Sequence, residues 1–292
     1  MGIPLDIYAV QATHGLVYGM LLFMVASGFT LVYGMMNVVN LAHTAFYMIG
    51  AYLAYTFTTM VGSFWVGLIV APIILGGFSI LVERFLLRGI YTVPGAHGLQ
   101  LMVTFGLFFI LADLVLIAWG SVPISVPPPK FLAGTIPFFG KTYPVYRLFI
   151  LGWSAAMFIG MALVLIKTRV GILIRAAVSD ADMVDALGTN VQLVFTGVFG
   201  AGTALAAIAG VIAAPFFGAF PSMGIEILLD CFVVVVIGGF GSLLGAFVAA
   251  LMIGELQSFG VLWIPRLALV FQFLLMAVVL VVRPTGLFGE KE

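Results

Sequence analysis

Runs of about twenty apolar residues recur along the whole of this chain, broken only by short polar or Gly/Pro-rich stretches. A helix needs about 20 such residues to cross the hydrocarbon of a bilayer, and in lipid the helix also satisfies its own backbone hydrogen bonds. The runs fall at roughly 9–34, 38–60, 64–83, 99–119, 144–166, 191–214, 224–240, 243–259 and 262–282. The break Gly238-Gly239-Phe240-Gly241-Ser242 joins either two spans or two halves of one interrupted element. The expected fold is therefore an all-α integral membrane protein, a polytopic bundle of about eight or nine transmembrane helices. It is read as one domain over residues 1–292. Composition agrees, with 64% hydrophobic and 8% charged residues, where soluble domains run near half and a quarter. The formal net charge of +0 gives no footprint for nucleic acid. Cys231, the single cysteine, excludes an internal disulfide and reads as a small core residue. Met1–Gln11 has no Lys or Arg, so it lacks the basic region of a secretory signal and the first span is expected to be retained.

Basic residues orient the bundle, because cytoplasmic loops carry the excess of Lys and Arg. Arg84 and Arg88 mark one loop, Lys167, Arg169 and Arg175 a second, and Arg283 and Lys291 the C-terminal end. The stretch 120–143 is then external. It holds Pro123, Pro127, Pro128, Pro129 and Pro137, which exclude a regular helix. Lys130 and Lys141 there run against the charge rule. Counting back places the N-terminus outside.

The polar island from Lys167 to Asn190 interrupts this apolar pattern. Three basic residues come first, and Asp180, Asp182 and Asp185 follow. Ser179 suits a helix N-cap with Asp182 three residues on, and acids in a first turn complement the helix dipole. Gly188 suits the residue just past the helix end. Two turns are too short to be stable alone, and Met183 and Leu187 share a face at i, i+4. Such a helix docks either into this chain's own loops or into a soluble partner.

Polar residues at membrane depth are the other candidates. Asn40, His43, Thr44 and Tyr47 fall at helical spacing with Asn37 a turn earlier; the stripe lines a translocation path or hydrogen-bonds neighbouring helices. No second His or carboxylate stands at metal-ligand spacing from His43. Gly238, Gly239 and Gly241 weaken a helix and Ser242 caps a new one. They form either a broken helix whose amides attract a carboxylate, or a tight loop or close helix crossing. Glu226 and Asp230 lie at i, i+4, placed to meet an ammonium group, to cap a helix or to sit in interfacial water. Asp113 and Glu255 are lone acids. Gly197, Gly200 and Ala204, and Gly202, Ala206 and Gly210, form rows of small residues suited to close helix packing, either within the subunit or at a dimer interface.

Several segments resemble one family. Thr168-Arg169, Gly171, Arg175-Ala176, Asp180 and Ala186-Leu187-Gly188 with Asn190 are similar to the coupling segment of bacterial branched-chain amino-acid ABC importer permeases, the LivH/LivM type. Asn40-Leu41-Ala42-His43 followed by Tyr47-Met48-Ile49-Gly50-Ala51-Tyr52 resembles another signature of that family, with Thr44 where the family has Gly. Val236-Ile237-Gly238-Gly239-Phe240-Gly241-Ser242 with Gly245-Ala246, and Arg283-Pro284-Thr285-Gly286-Leu287-Phe288-Gly289, resemble two more. The resemblance implies a permease subunit of a binding-protein-dependent importer in a bacterial or archaeal plasma membrane, translocating branched-chain amino acids or a related small amphiphile. It implies a second permease, identical or homologous, two cytoplasmic ATPases that hold ATP and Mg²⁺, and an extracytoplasmic substrate-binding protein. Segment 167–190, with Asp182 and Met183 beside the matched positions, would meet the ATPase. No cofactor is expected on this chain.

Three other functions are weighed against this one: nucleotide binding, an intramembrane enzyme and a secondary transporter or channel. Gly140-Lys141-Thr142 mimics a phosphate loop, but Gly134 stands one residue too far upstream for G-x-x-x-x-G-K-[ST] and Pro137 interrupts it. H-E-x-x-H and G-x-S-x-G are absent, so nothing points to an intramembrane enzyme. A self-sufficient secondary transporter or channel would need ion-coupling carboxylates deep in the bundle or a clear inverted repeat.

Overall fold

The computed structural model describes residues 5–36, 38–91, 97–138 and 141–289. Asn37, Gly140 and Lys291 lie outside these described residues. The chain is a helical bundle, in order α1 (Leu5–Met36), α2 (His43–Met60), α3 (Phe64–Val82), a π-helical turn (Glu83–Leu87), α4 (Arg88–Tyr91) and α5 (His97–Trp119). After a proline-rich segment come α6 (Val145–Lys167), α7 (Arg169–Ser179), α8 (Ala181–Ala186), α9 (Val191–Phe217), α10 (Met223–Gly238), α11 (Leu243–Trp263) and α12 (Ala268–Val282). Among the described residues, seven helices are long and apolar enough to span a bilayer. The expected eight or nine is an approximate count, and seven helices meet this measure. The two expected runs outside these seven are α2, whose 18 residues include His43, four threonines and three tyrosines, and α10, whose helix has 16 residues.

The short pair has a structural explanation. The run expected to begin at 38 stays irregular through Asn40, whose Oδ1 accepts from Ala42 N at 3.1 Å. This local Asx turn delays the helix until His43. Asn40 is thus off the helix, and the expected single helical face keeps only His43, Thr44 and Tyr47. The first turn of α10 meets the first turn of α2: a Cβ on Gly224 would lie 3.3 Å from Thr44 O. Both short helices therefore start against one another inside the bundle.

Burial separates inner from outer helices. In α1 and α9, 78% and 72% of the most apolar window is buried, against 11% in α6 and 17% in the last span. The former are the core, and the latter present Leu, Ile and Val outward as lipid-facing side chains do. Close approach rests on small residues. The rows predicted on α9 pack within the chain: Gly200 and Ala204 face Gly76 of α3, Gly202 faces Gly28 of α1, and a Cβ on Gly210 would collide with the Tyr47 carbonyl of α2. Gly197 is exposed and takes no part. Helices α1 and α11 cross closely, at Gly19 against Ala250 and at Gly15 against Gly254, and Gly34 of α1 meets Gly241 in the turn before α11.

The proline-rich segment forms a cap. The prolines exclude an α-helix as expected, but a hairpin forms between β1 (Thr135–Phe138) and β2 (Lys141–Pro144), paired antiparallel with Thr135 opposite Pro144. Lys141 and Thr142 therefore lie on a strand, which rules out a phosphate loop there. Ile124 pairs with Ala219 beyond the end of α9. Trp65 stacks on Phe131 at 5.7 Å. Lys141 pairs with Asp6 at 3.6 Å, which places the start of α1 on the same face as the hairpin and gives this exception to the charge rule a partner. Burial raises the Tyr143 hydroxyl above the usual phenol range, opposed by Arg147.

Candidate functional site

The opposite face of the bundle carries the island. Thr168 caps α7: its Oγ1 accepts from Gly171 N at 3.1 Å and donates to Val164 O at 2.6 Å. The chain turns so sharply from α6 into α7 that a Cβ on Gly171 would run into the carbonyls of Val164 and Leu165. Arg175 closes the corner by donating to Leu165 O. Helix α7, whose 11 residues the island's charge pattern did not disclose, buries Gly171, Ile174 and Ala177. Ile174 and Ala177 pack with Met35, Val184, Val191 and Val198, and Ala176 borders that cluster. Arg169 and Arg175 remain exposed.

The predicted two-turn helix is α8. Its cap is Asp180, not Ser179: Asp180 Oδ1 accepts from Met183 N at 2.9 Å, while Ser179 is the last residue of α7. A carboxylate at that position bonds the orphan amide and also faces the helix dipole, so it wins over the hydroxyl one residue earlier. Asp182 lies in the first turn. Past the other end, Gly188 adopts φ +87°. Gly188 N donates to Asp185 O at 2.9 Å and Thr189 N to Val184 O at 3.3 Å. This is the paired bonding of a Schellman end, which needs a left-handed residue. Val184, 7% exposed, pins α8 to the bundle, while Met183 and Leu187 are 58% and 78% exposed. Two large apolar side chains thus project from a rigidly capped helix held by one buried valine.

Beside the island lies a network that sequence reasoning missed. Arg88 Nη2 pairs with Glu83 Oε2 at 3.0 Å, and Thr196 of α9 joins both, at 2.6 Å and 2.8 Å. Arg88 and Glu83 are five apart, a spacing that does not face in an α-helix. The π-turn, with Arg88 N bonded to Glu83 O, brings them together. Arg88 is therefore not a free loop charge, whereas Arg84 is exposed.

The polar residues of the bundle divide into three groups. His43 is fully buried, with Nε2 3.1 Å from Val25 O. A carbonyl only accepts, so Nε2 carries the proton, and His43 joins α2 to α1. Thr44 is fully buried and Tyr47 is 4% exposed, with Tyr47 in electrostatic range of Glu226. The second group is the glycine break. It is a turn between two helices: Gly239 and Gly241 take φ +95° and +79°, and Ser242 Oγ caps α11 by accepting from Gly245 N at 3.1 Å. The C-terminal motif locks over it, with Leu287 N bonded to Ile237 O at 2.8 Å and Phe288 N to Gly238 O at 3.0 Å. Gly238 and Gly239 thus meet Thr285, Gly286, Phe288 and Gly289, while Gly241 packs on Gly34 of α1, on the same face as the island. The third group centres on Asp230, which accepts from Tyr18 Oη at 2.5 Å and from Gln272 Nε2 at 2.9 Å. Glu226, a turn earlier, is exposed and bonded to Ser222 Oγ at 2.8 Å.

Asp113 is exposed on α5, and Glu255 Oε2 is buried beside Gly15 without a hydrogen-bond partner. Among the described residues no three His, Cys, Asp or Glu side chains form a metal-holding group.

Residues 11–280 match the family described as branched-chain amino acid transport system, permease component. The high-affinity branched-chain amino acid transport system permease protein BraD of Pseudomonas aeruginosa is 29% identical over 299 residues, covering 98% of this chain and 97% of that protein. The LivH proteins of Salmonella typhimurium and Escherichia coli, permeases of the same description, are each 28% identical over 298 residues, covering 97% of this chain and 96% of theirs.

Proposed function

The chain belongs to the branched-chain amino acid transport system permease family, and from that premise we propose that it conducts branched-chain amino acids across the membrane. It is a multi-pass transport subunit of the plasma membrane and not an enzyme. Permeases of this family work with ABC ATPases and a binding protein. In our reading the assembly holds a second permease, identical or homologous, and two ATPases that bind ATP and Mg²⁺. The extracytoplasmic protein delivers substrate to the face that carries the β1–β2 hairpin.

The observation that carries the coupling role is the exposure of Met183 and Leu187 on α8. Leaving two large apolar side chains in water forgoes about 1.5–3 kcal/mol each, and a groove on the ATPase recovers it. Arg169, Gly171, Arg175 and Ala176 build and support the corner, and Asp180, Asp182 and Gly188 hold the ends of α8. When ATP closes the ATPase pair, α8 moves with it. The corner and the Glu83–Arg88–Thr196 network transmit that motion to α3 and α9, which biases the bundle between outward and inward access. The translocation path runs beside Asn40, His43, Thr44 and Tyr47, where α2 and α10 begin.

Replacing Met183 and Leu187 together with Asp tests the coupling role. A tagged chain purified in mild detergent is expected to keep its yield and helical signal, to lose the co-purifying ATPase, and to lose leucine-stimulated ATP hydrolysis. Normal ATPase recovery and normal uptake in the double variant would refute it.

A further inference from the structure

The group around Asp230 has too many acceptors for its donors. Asp230 lies partly buried between α1, α10 and α12. Among the described residues, ion pairs join Arg88 to Glu83 and Lys141 to Asp6, and neither reaches Asp230. Its carboxylate is held by two neutral donors, the Tyr18 hydroxyl and the Gln272 amide. Gln272 is 3% exposed, and with its Nε2 committed to Asp230 its Oε1 is buried without any donor. Gln257, beside the Tyr18 hydroxyl, also has its Oε1 buried and unpaired. Buried polar atoms are nearly always paired, and a carboxylate with no cation is costly away from bulk water. Protonating Asp230 would remove the charge but leave Gln272 Oε1 without a donor. A group that brings positive charge together with several N–H donors answers both deficits, and an alkylammonium has three.

We propose that Asp230 and Gln272 form an amine subsite that receives the ammonium group of the transported substrate: the carboxylate takes the charge and one N–H, and Gln272 Oε1 takes a second N–H. Tyr18 orients the carboxylate and leaves its remaining lone pairs free. Glu226, exposed one turn toward the start of α10 and about 6 Å away, offers the approaching cation a first, solvated partner. The start of α10 lies against α2, so the subsite adjoins the polar group at the head of both short helices. The source of the amine, an amino acid, rests on the import reading above; the preference for an ammonium group rests on the acceptor set alone.

The test uses the whole importer complex in nanodiscs without its binding protein, with tritiated leucine as the probe. Two competitors divide leucine chemically: 3-methylbutylamine keeps the ammonium group and 4-methylpentanoate keeps the carboxylate. In the wild type the amine is expected to displace leucine at concentrations within about tenfold of leucine itself, and the acid to be at least tenfold poorer. Asp230→Asn, which keeps an acceptor for Tyr18, is expected to weaken leucine and 3-methylbutylamine at least tenfold. The subsite is overturned if 4-methylpentanoate competes as well as leucine, if D230N binds leucine unchanged, or if binding requires sodium and the amine does not compete. Should D230N not assemble, the wild-type competition decides alone. ATP-driven leucine uptake by the wild type separates the two readings. Uptake with unaltered leucine binding in D230N removes the subsite and leaves import standing. No leucine uptake, with 3-methylbutylamine binding that D230N abolishes, removes the amino acid and keeps the subsite.

Discussion

Gly188 shows how one backbone angle carries function. Its φ is +87°, and no atom lies within 4 Å of the place a Cβ would take, so a side chain there has room but not conformation. Gly188→Val costs about 1–2 kcal/mol in opening the end of α8, whereas Gly188→Asn, which tolerates the left-handed region, costs less. Substrate-stimulated ATP hydrolysis is expected to fall about tenfold in the valine variant and to stay within about twofold in the asparagine variant. Equal hydrolysis in both would show that the end of α8 does not matter for coupling. The glycine was legible because Gly after a short polar helix has few other uses. The cap at the other end of α8 is ambiguous in the sequence because Ser179 and Asp180 are both good caps, and only the path of α7 shows which one stands at the break.

Among elements, the π-turn between α3 and α4 ties the first half of the bundle to α9. Glu83 is 1% exposed and Arg88 27%, so removing the arginine strands a buried carboxylate. Arg88→Met is expected to destabilise the complex by about 3 kcal/mol, the low end for breaking a buried pair because Arg88 keeps some solvent. Adding Glu83→Gln to it should restore much of the loss. Thermal unfolding of the purified complex checks this; a double variant no more stable than Arg88→Met would mean the network does not act as a pair. The sequence held no sign of it, because an i, i+5 pair matches no α-helical face and Thr196 lies 108 residues from Arg88. Helix α7 was hidden for a different reason. Its buried positions Gly171, Ile174 and Ala177 repeat every three residues, but two of them are small and the island's charges drew the reading toward α8.

For the molecule as a whole, the predicted orientation and the structure agree on which segments share a face: Asp6 with the hairpin on one side, the island with the C-terminal motif on the other. Cys231 is 1% exposed, so the chain already offers a nearly silent background for labelling. In intact spheroplasts a membrane-impermeant maleimide is expected to modify Thr135→Cys and to spare Leu187→Cys until the membrane is opened; the reverse order would invert the topology. The positions of the spans were legible because each depends on the local hydropathy of its own run, and the family resemblance was legible because its motifs are short and contiguous. The arrangement inside the bundle was not. Spans apolar on all sides carry no periodic stripe to say which face turns inward, so the central places of α1 and α9, the meeting of α2 with α10, and the bonding of Asp230 to Tyr18 and Gln272 arise from contacts between residues far apart in the chain, and follow from packing alone.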